Sequence, residues 1–388
     1  MIEIAFPPPN ERVVLAGLMT SGQNPRLFDE DMQEMHMLCR TAGADVVETV
    51  IQKRDKPTAS TYLGSGKIKE IRSIMKEHKS TTLVIDAELS PGQIRTIEKL
   101  IGGKVIDRSQ LILDIFAQHA RTTEARIQVE LAQLRTLYPR LTHAWTHFSE
   151  QFGGIGTRGP GEKQLEVDRR LIQKKISDLN QKLKKIEQNR HTQRKSRQNV
   201  FKVALVGYTN VGKSSLLNAL CGSSALVENK LFATLDTTTR RTYLKGMGDV
   251  IISDTVGFIR KLPHHLVASF KSTLEVVREA DLLMLVMDAS SEWSAQQLAT
   301  VKEVLDDLDA HDVARLVVFN KMDLVDDPFI RKQLTLAFPD ALFVSAFNDE
   351  DIAMLKSQMG DHIREYRREE AKSEIIYQES RTAAVRRG

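Results

Sequence analysis

The chain has 388 residues and a mass of 43.8 kDa, more than one hydrophobic core usually supports, so we expect two or three domains. Hydrophobic residues make up 41% and charged residues 27%, which excludes a chain that is disordered throughout. The longest purely apolar run, at 282–287, is far shorter than the about 20 residues that cross a membrane, and we expect no secretory signal. The two cysteines, Cys39 and Cys221, favour a protein of the reducing cytoplasm without structural disulfides.

The positive charge of the chain is concentrated in one stretch. The formal net charge is +4, but residues 163–197 carry twelve Lys and Arg against four Asp and Glu, a local excess of +8. A charge run alone is most often a solvated helix surface. A run as dense as this one also fits a polyanionic partner.

The first 107 residues alternate between strand-like and helix-like segments. Apolar segments at 13–18, 46–51, 83–86 and 105–106 predict strands, and the segments at 28–41 and 68–78 predict helices. A third helix is expected to begin at Ser90-Pro91, because serine caps helices and proline favours their first turn. This alternation predicts a parallel sheet in an N-terminal α/β subdomain, 1–107.

Residues 108–198 have a different pattern, with two apolar seams at helical spacing. A glycine-rich loop lies between the seams, so we predict a long antiparallel helical hairpin. Pro139 is expected to kink or end the first helix, and 191–199 reads as a linker. The seams consist of Ile127, Leu131, Leu134, Tyr138 and Leu141, and of Ile172, Ile176, Leu179, Leu183 and Ile186.

Residues 199–365 return to alternating strands and helices. Strands are expected at 201–206, 250–253, 282–288, 316–320 and 342–345. Residues 366–388 are highly charged and are expected to form a frayed helix or a disordered tail.

A phosphate-binding loop follows the first strand of this third region. The pattern G-x-x-x-x-G-K-[ST] is met at every required position, between a strand and a helix, which is the context that the motif needs. Lys213 is expected to bridge the β- and γ-phosphates, and the Ser214 hydroxyl to ligate Mg²⁺. The loop consists of Gly207, Tyr208, Thr209, Asn210, Val211, Gly212, Lys213 and Ser214.

Three further motifs follow later strands in the order expected of a guanine nucleotide site. Asp254, Thr255, Val256 and Gly257 come first: Asp254 would hold Mg²⁺ through water, and the Gly257 N–H would sense the γ-phosphate. Asp323 can accept two hydrogen bonds from guanine, and adenine lacks that donor pair. Base recognition is expected from Asn320, Lys321, Met322 and Asp323, with a backbone N–H from Ser345 or Ala346.

The loop between the first two motifs is expected to be mobile and to supply a threonine hydroxyl to Mg²⁺. Thr234 is our choice as this ligand, with Thr237, Thr238 and Thr239 as alternatives that spacing alone leaves open. The nucleotide-binding part of this loop is predicted to be Phe232, Ala233, Thr234, Leu235 and Asp236.

Two positions bear on the rate of hydrolysis. Phe258 stands where Ras-type enzymes have the glutamine that orients water, so we expect slow intrinsic turnover or help from another group or a partner. Asn210 has two readings of about equal weight: it binds K⁺ beside the phosphates, or it only braces the loop.

Together with the glycine-rich sequence at 153–166, these motifs resemble the HflX-type GTPases of the Obg–HflX group, over nearly the whole chain. The resemblance implies a cytoplasmic, Mg²⁺-dependent GTPase that binds the large (50S) ribosomal subunit and dissociates stalled or idle ribosomes. It also supports Thr234 as the Mg²⁺ ligand. The expected catalytic residues are then Lys213, Thr234 and Gly257, in a protein that we expect to be a monomer.

The fold expected from these observations is α/β. It has a P-loop GTPase domain with a mostly parallel sheet and helices on both faces, preceded by the small α/β subdomain and the helical hairpin. The glycine loop at the hairpin tip lets the backbone approach a crowded polyanion, and the flanking lysines and arginines suit contacts to RNA phosphates.

Two other functions stay open from the sequence. The first is a helicase-like, RNA-remodelling ATPase that uses the N-terminal region. Residues 63–67 look like a second phosphate loop but have Thr61 in place of the first glycine and Ile68 in place of Ser or Thr, so a glycine turn opening a helix is favoured. The second is a signalling or scaffold GTPase with a protein target.

Overall fold

The computed structural model describes residues 11–144, 160–194, 200–222, 231–232, 237–261 and 275–385. The chain divides into two compact units. The first contains nearly everything up to Thr192, together with Lys230–Phe232 and the segment that begins at Arg260. The second contains most of the chain from Gln193 onward, including Ala233–Ile259.

The first unit is built on a four-stranded, fully parallel sheet of order β2-β1-β3-β4. Three helices connect the strands, as the sequence predicts. The first two strands are longer than the apolar runs suggest. The elements are β1 (Glu11–Thr20), α1 (Pro25–Thr41), β2 (Ala44–Arg54), α2 (Ser65–Glu77), β3 (Thr82–Ile85), α3 (Pro91–Ile101) and β4 (Lys104–Asp107).

Helix starts in this unit follow from local chemistry. Ser90 caps α3 by accepting a hydrogen bond from the Gln93 N–H, while the Gln93 side chain accepts from the Ser90 N–H, which completes a capping box. The glycine turn predicted at 63–67 also opens a helix: the Gly64 N–H donates to Gln52 Oε1 at 2.8 Å, and the Lys67 ammonium pairs with Glu70.

A helix that the sequence analysis did not predict follows β4. It is α4 (Arg108–His119), with the Asp107 carboxylate accepting from the Gln110 N–H at its start. Eight of its residues are buried, on all sides of the helix, so the sequence lacks the one-sided apolar stripe of a surface helix.

The predicted helical hairpin is present as α5 (Thr123–Ala144) and α6 (Pro160–Arg194). Glu130 pairs with Lys175, and Tyr138 with Arg169, so the partner number falls as the α5 number rises and the two helices run antiparallel. Helix α5 continues through Pro139, which excludes an end at this proline, and the alternative of a kink stays a prediction. The predicted seams pack against each other, except that Leu141 and the tip loop lie outside the residues whose side chains are described.

The second unit contains a six-stranded sheet of order β10-β9-β8-β5-β7-β6. All neighbouring strands are parallel except β6, which runs antiparallel to β7 at the edge and was not predicted. The strands are β5 (Phe201–Gly207), β6 (Thr238–Leu244), β7 (Gly248–Asp254), β8 (Leu282–Asp288), β9 (Ala314–Asn320) and β10 (Leu342–Phe343).

The helices of this unit follow or lie between its strands along the chain. Those described are α7 (Lys213–Cys221), α8 (Glu275–Arg278), α9 (Ser294–Asp307), a 3-10 turn (Met322–Leu324), α10 (Pro328–Ala337) and α11 (Asp349–Val385). Helix α11 buries Ile352, Leu355, Met359 and Ile363 at helical spacing. It then continues into the charged C-terminal stretch, for which a frayed helix was one of the two expectations. Among the helices described, none combines the length and the apolar character that a membrane span requires.

Candidate nucleotide site

The phosphate loop lies between buried strand β5 and helix α7, as its motif predicts. Two of its residues have positive φ angles, Asn210 at 63° and Gly212 at 90°. Asparagine tolerates the left-handed region, and glycine adopts it without strain. A Cβ on Gly212 would also lie 2.3 Å from the Asn320 amide nitrogen, so no other residue fits there.

The side chain of Lys213 is buried within the phosphate loop. Its ammonium donates to the carbonyl oxygens of Gly207 and Tyr208, at 3.1 and 2.7 Å. Burial lowers the pKa of Lys213 to about 8, while the Asp254 carboxylate acts in the opposite direction. The loop therefore encloses its own cation at the position where the motif binds phosphate.

Two side-chain oxygen atoms of the kind that bind metals meet beside the Lys213 ammonium. The Ser214 hydroxyl donates to Asp254 Oδ2 at 2.6 Å, which brings the first residues of α7 to the end of β7. A hydroxyl and a carboxylate are hard ligands of the kind that Mg²⁺ takes, so both residues fit the metal roles predicted for them.

The segment after Asp254 lies along the phosphate loop. The Thr209 N–H donates to the Phe258 carbonyl at 2.7 Å, and the Phe258 N–H donates to the Gly207 carbonyl at 3.0 Å. Thr255 is fully buried, and its hydroxyl donates to the Leu205 carbonyl. These bonds hold Gly257 directly beside the backbone of Thr209.

The residues predicted to recognise the base are joined to the phosphate loop through one side chain. Buried Asn320 donates from Nδ2 to the Val211 carbonyl at 2.9 Å and accepts at Oδ1 from the Ala346 N–H at 3.0 Å. The Ser345 hydroxyl donates to Asp323 Oδ1 at 2.6 Å, which orients a carboxylate that is otherwise exposed. The four predicted motifs therefore meet at the carboxyl ends of parallel strands.

Models of known families match the chain in three consecutive regions. They are described as GTP-binding GTPase N-terminal at 29–117, GTP-binding GTPase Middle Region at 119–197 and 50S ribosome-binding GTPase at 202–321. The GTPase HflX of Flavobacterium psychrophilum is 44% identical over 92% of this chain and 91% of its own length. The chain belongs to the HflX family of GTPases.

The chain is also similar to a second curated relative and to a solved structure. The GTPase HflX of Escherichia coli K12 is 45% identical over 77% of this chain and 70% of its own length. Among solved structures, a GTP-binding protein of Sulfolobus solfataricus in complex with GDP is 22% identical, covering 92% of this chain and 99% of that chain with a TM-score of 0.47.

As an HflX-family GTPase, the protein binds and hydrolyses GTP, and GTPases of this class depend on Mg²⁺. Ser214 and Asp254 are the described residues that would hold the ion, where it would neutralise charge on the phosphates. The K⁺ role of Asn210 stays a prediction.

The loop that should supply a threonine to the metal is only partly described. Ala233, Thr234, Leu235 and Asp236 lie outside the described residues, so the role of Thr234 stays a prediction. Two of its alternatives, Thr238 and Thr239, lie in strand β6. The Thr239 hydroxyl is within hydrogen-bond distance of Ser253, at 3.0 Å.

Phe232 has a position that its sequence context did not suggest. Its side chain is buried in the first unit and packs edge-on against Phe116 of α4, with ring centroids 4.7 Å apart. The residue starts the predicted nucleotide loop, but its ring belongs to a hydrophobic core.

Two carboxylates that support the base site were missed from the sequence. Asp288, at the end of β8, pairs with the Lys321 ammonium at 2.7 Å, and Lys321 itself has a positive φ of 66°. Asp351, in the first turn of α11, accepts from the Ser345 N–H at 2.7 Å. Asp288 could have been found, because a polar residue at the carboxyl end of a buried parallel strand faces the ligand edge.

Phe258 is buried, with 4% of its surface exposed, and its backbone pairs with the phosphate loop. An apolar side chain cannot orient the attacking water. The structure therefore offers no substitute for the glutamine of Ras-type enzymes at this position.

Proposed function

We propose that this GTPase binds the RNA of the large (50S) ribosomal subunit when loaded with GTP, dissociates stalled or idle ribosomes, and leaves after hydrolysis. The observation that carries the proposal is the exposed surface of α6. One side of the helix packs on α5 through its apolar seam, while its other sides present cations to solvent. These exposed cations are Arg169, Arg170, Lys174, Lys175, Lys182, Lys184 and Lys185.

The charge balance of this surface favours RNA over a protein target. Residues 167–188 carry seven Lys and Arg against three acids, Asp168, Asp178 and Glu187. Lys and Arg on a rigid helix contact backbone phosphates without reading sequence. The family model that matches 202–321 is described as a 50S ribosome-binding GTPase, which supports the same partner and an action in the cytoplasm.

Control by GTP follows from the roles proposed for three loops. Lys213 would bind the β- and γ-phosphates, Asp254 would help to hold Mg²⁺, and the Gly257 N–H would donate to the γ-phosphate. Thr234 would complete the metal site from its own loop. When the γ-phosphate leaves, the segments that carry Thr234 and Gly257 lose a ligand that ordered them.

Base selection rests on Asp323. Its Oδ1 accepts from Ser345, and the carboxylate still has acceptor capacity for guanine N1–H and N2–H₂. The N–H groups of Ser345 and Ala346 donate to Asp351 and Asn320, so recognition of guanine O6 by one of them requires that bond to be exchanged for one to the base. An adenine base would leave the carboxylate without donors, so GTP is favoured over ATP.

The central experiment is sedimentation of the protein with purified ribosomal subunits in the presence of a GTP analogue, GDP or no nucleotide. We expect it to pellet with large subunits in the GTP-analogue state and to stay in the supernatant with GDP. Equal pelleting in both states would contradict nucleotide control. Binding that survives ribonuclease and high salt would favour a protein target instead, because phosphate contacts weaken steeply with salt.

A charge-reversal pair isolates the RNA-binding surface. The test variant combines Lys182→Glu, Lys184→Glu and Lys185→Glu on α6. Its matched control reverses three exposed cations of α2 and combines Lys69→Glu, Arg72→Glu and Lys76→Glu. We expect the α6 variant to lose pelleting and the control to keep it, with GTP hydrolysis retained in both. Loss of pelleting in both variants would indicate a general charge effect.

A further inference from the structure

Phe347 is an aromatic residue that the second unit leaves open to solvent. It is 85% exposed, the highest value among the large apolar residues that the structure describes. Single exposed apolar residues are common at protein surfaces and by themselves indicate no site. What the ring of Phe347 meets in a complex therefore depends on where its backbone lies.

The backbone of Phe347 lies beside the carboxylate that we propose for guanine recognition. The Phe347 N–H donates to the Ser345 hydroxyl at 3.3 Å, and the same hydroxyl donates to Asp323 Oδ1 at 2.6 Å. One hydroxyl group thus connects the main chain of Phe347 to this carboxylate. All three residues belong to the second compact unit.

A tight turn carries Phe347 at this place. The Asn348 N–H donates to the Ser345 carbonyl at 3.0 Å, so residues 345–348, which we call the base loop, form a β-turn with Phe347 at its third position. The Asn348 side chain accepts from the Glu350 N–H at 2.9 Å, which ties the end of the turn to the start of α11. Because the backbone is held, the ring has only its two side-chain torsions to order on a ligand, at little entropic cost.

A guanine base offers a polar edge and two flat faces, and the edge groups proposed above leave the faces uncovered. Asp323 accepts from N1–H and N2–H₂, which lie in the plane of the base. A nucleobase face is covered well by an aromatic ring, because both are flat π-systems. The neighbouring Lys321 ammonium pairs with Asp288 at 2.7 Å, so this cation is already engaged.

We infer that the ring of Phe347 stacks on one face of the guanine base and so adds affinity for the nucleotide without selecting the base. The inference rests on the base-recognition role proposed for Asp323. Stacking on an aromatic side chain tolerates any base, because every base has a π-face. Removing the ring should therefore weaken the binding of different nucleotides by one common factor, whereas changing the Asp323 carboxylate should change their ranking.

The test uses the full-length protein and measures the Kd for GDP, for xanthosine diphosphate and for pyrophosphate, which lacks a base. Phe347→Ala removes the ring, and Phe347→Tyr keeps it. Because the ring is exposed, its removal opens no cavity in a core. Phe329→Ala is the matched control, because Phe329 is a second exposed phenylalanine of the same unit, at 64%, and lies on α10.

For Phe347→Ala we expect the affinities for GDP and for xanthosine diphosphate each to fall about tenfold, with the pyrophosphate Kd within twofold of wild type. Phe347→Tyr and the Phe329→Ala control should keep wild-type values. A GDP Kd within twofold of wild type in Phe347→Ala would overturn the inference. So would unequal losses for the two nucleotides, or an equal loss for pyrophosphate, which would indicate a distorted phosphate loop.

A Phe347→Trp variant reports the contact directly, because a stacked base quenches tryptophan fluorescence. GDP should quench this variant more than the wild type, whose tryptophans are Trp145 and Trp293, and pyrophosphate should not. Equal quenching by GDP in both proteins would contradict stacking. Loss of pelleting with large ribosomal subunits in Phe347→Ala, at an unchanged GDP Kd, would assign the ring to a macromolecular partner and overturn the inference.

Asp323→Asn in the same assay separates the two levels. An unchanged preference for GDP over xanthosine diphosphate in that variant would refute the proposed base site, and the inference with it. With the preference shifted there, a wild-type GDP Kd in Phe347→Ala would refute stacking alone.

Discussion

Replacing Gly257 by alanine tests the contact between the segment after Asp254 and the phosphate loop. A Cβ at this position would lie 2.7 Å from Thr209 Cγ2, 2.8 Å from its Cα and 2.9 Å from its N. Ordinary contacts begin near 3.4 Å, so the two backbones must separate by about 0.6 Å. The phosphate loop is held by β5, by α7 and by Asn320, so we expect the Gly257 segment to be the part that moves.

This displacement should affect catalysis more than binding. It stretches the 2.7 Å bond from the Thr209 N–H to the Phe258 carbonyl and moves the Gly257 N–H away from the γ-phosphate position. A misplacement of this size in a reacting site can cost about a hundredfold in rate, or about 2.7 kcal/mol of transition-state stabilisation. Overpacking of the contact should lower the free energy of unfolding by about 1–3 kcal/mol.

Single-turnover hydrolysis of GTP and equilibrium binding of GDP measure the two effects separately. Gly92→Ala is the matched control, because a Cβ on Gly92 has the Ser90 hydroxyl as its nearest neighbour, at 4.0 Å. We expect Gly257→Ala to hydrolyse GTP about a hundredfold more slowly and to bind GDP within a few-fold of wild type. Hydrolysis within twofold of wild type would refute the steric argument.

Four further outcomes are expected. Asp323→Asn should weaken GTP binding by about tenfold to a hundredfold and shift preference to xanthine nucleotides, because the lost acceptor faces guanine donors; unchanged selectivity in competition binding would count against this role. Because Phe258 cannot orient water, intrinsic turnover should be slow and should rise on adding large ribosomal subunits; a phosphate-release assay that shows no rise would contradict this. Deleting residues 153–161 should abolish ribosome dissociation, followed by light scattering, and should spare GTP binding. Burial raises the pKa of Cys39 to about 12, so about one thiol in a thousand is ionised at pH 9; alkylation mapped by mass spectrometry should label Cys221 in the native protein and Cys39 only after unfolding.

The strand and helix that flank the phosphate loop were predictable because the motif has a strict local geometry. The phosphate loop needs a strand before it, a helix after it and glycines at fixed positions, and all three conditions are visible in the printed residues. The hairpin seam was also predictable, because Ile127, Leu131 and Leu134 recur at the spacing of one helix face.

The elements that were missed lack such a period. Helix α4 is buried on all sides, so its sequence has no polar face to mark it as a surface helix. Strand β6 is an edge strand with mostly polar residues, and its pairing with β7 depends on contacts distant in sequence. Pro139 shows the opposite case, because the helix continues through a residue that locally disfavours it.

Long-range ion pairs were beyond sequence reasoning for a similar reason. Arg108 and Arg260 are 152 positions apart, and nothing in either local sequence indicates that they meet. Asp351 is only six positions from Ser345. Its hydrogen bond with the Ser345 N–H depends on where helix α11 begins, which the local sequence does not show.

The carboxamide of Asn320 has a consequence for how the two halves of a nucleotide are read. It donates to the carbonyl of Val211 and accepts from the N–H of Ala346, so the phosphate loop and the base loop share one hydrogen-bonded side chain. We expect whichever half of the ligand binds first to restrict the motion of this side chain and so to lower the entropic cost of binding the other half. Guanosine and pyrophosphate supplied as separate molecules should therefore strengthen each other's binding by one common factor, as thermodynamic reciprocity requires.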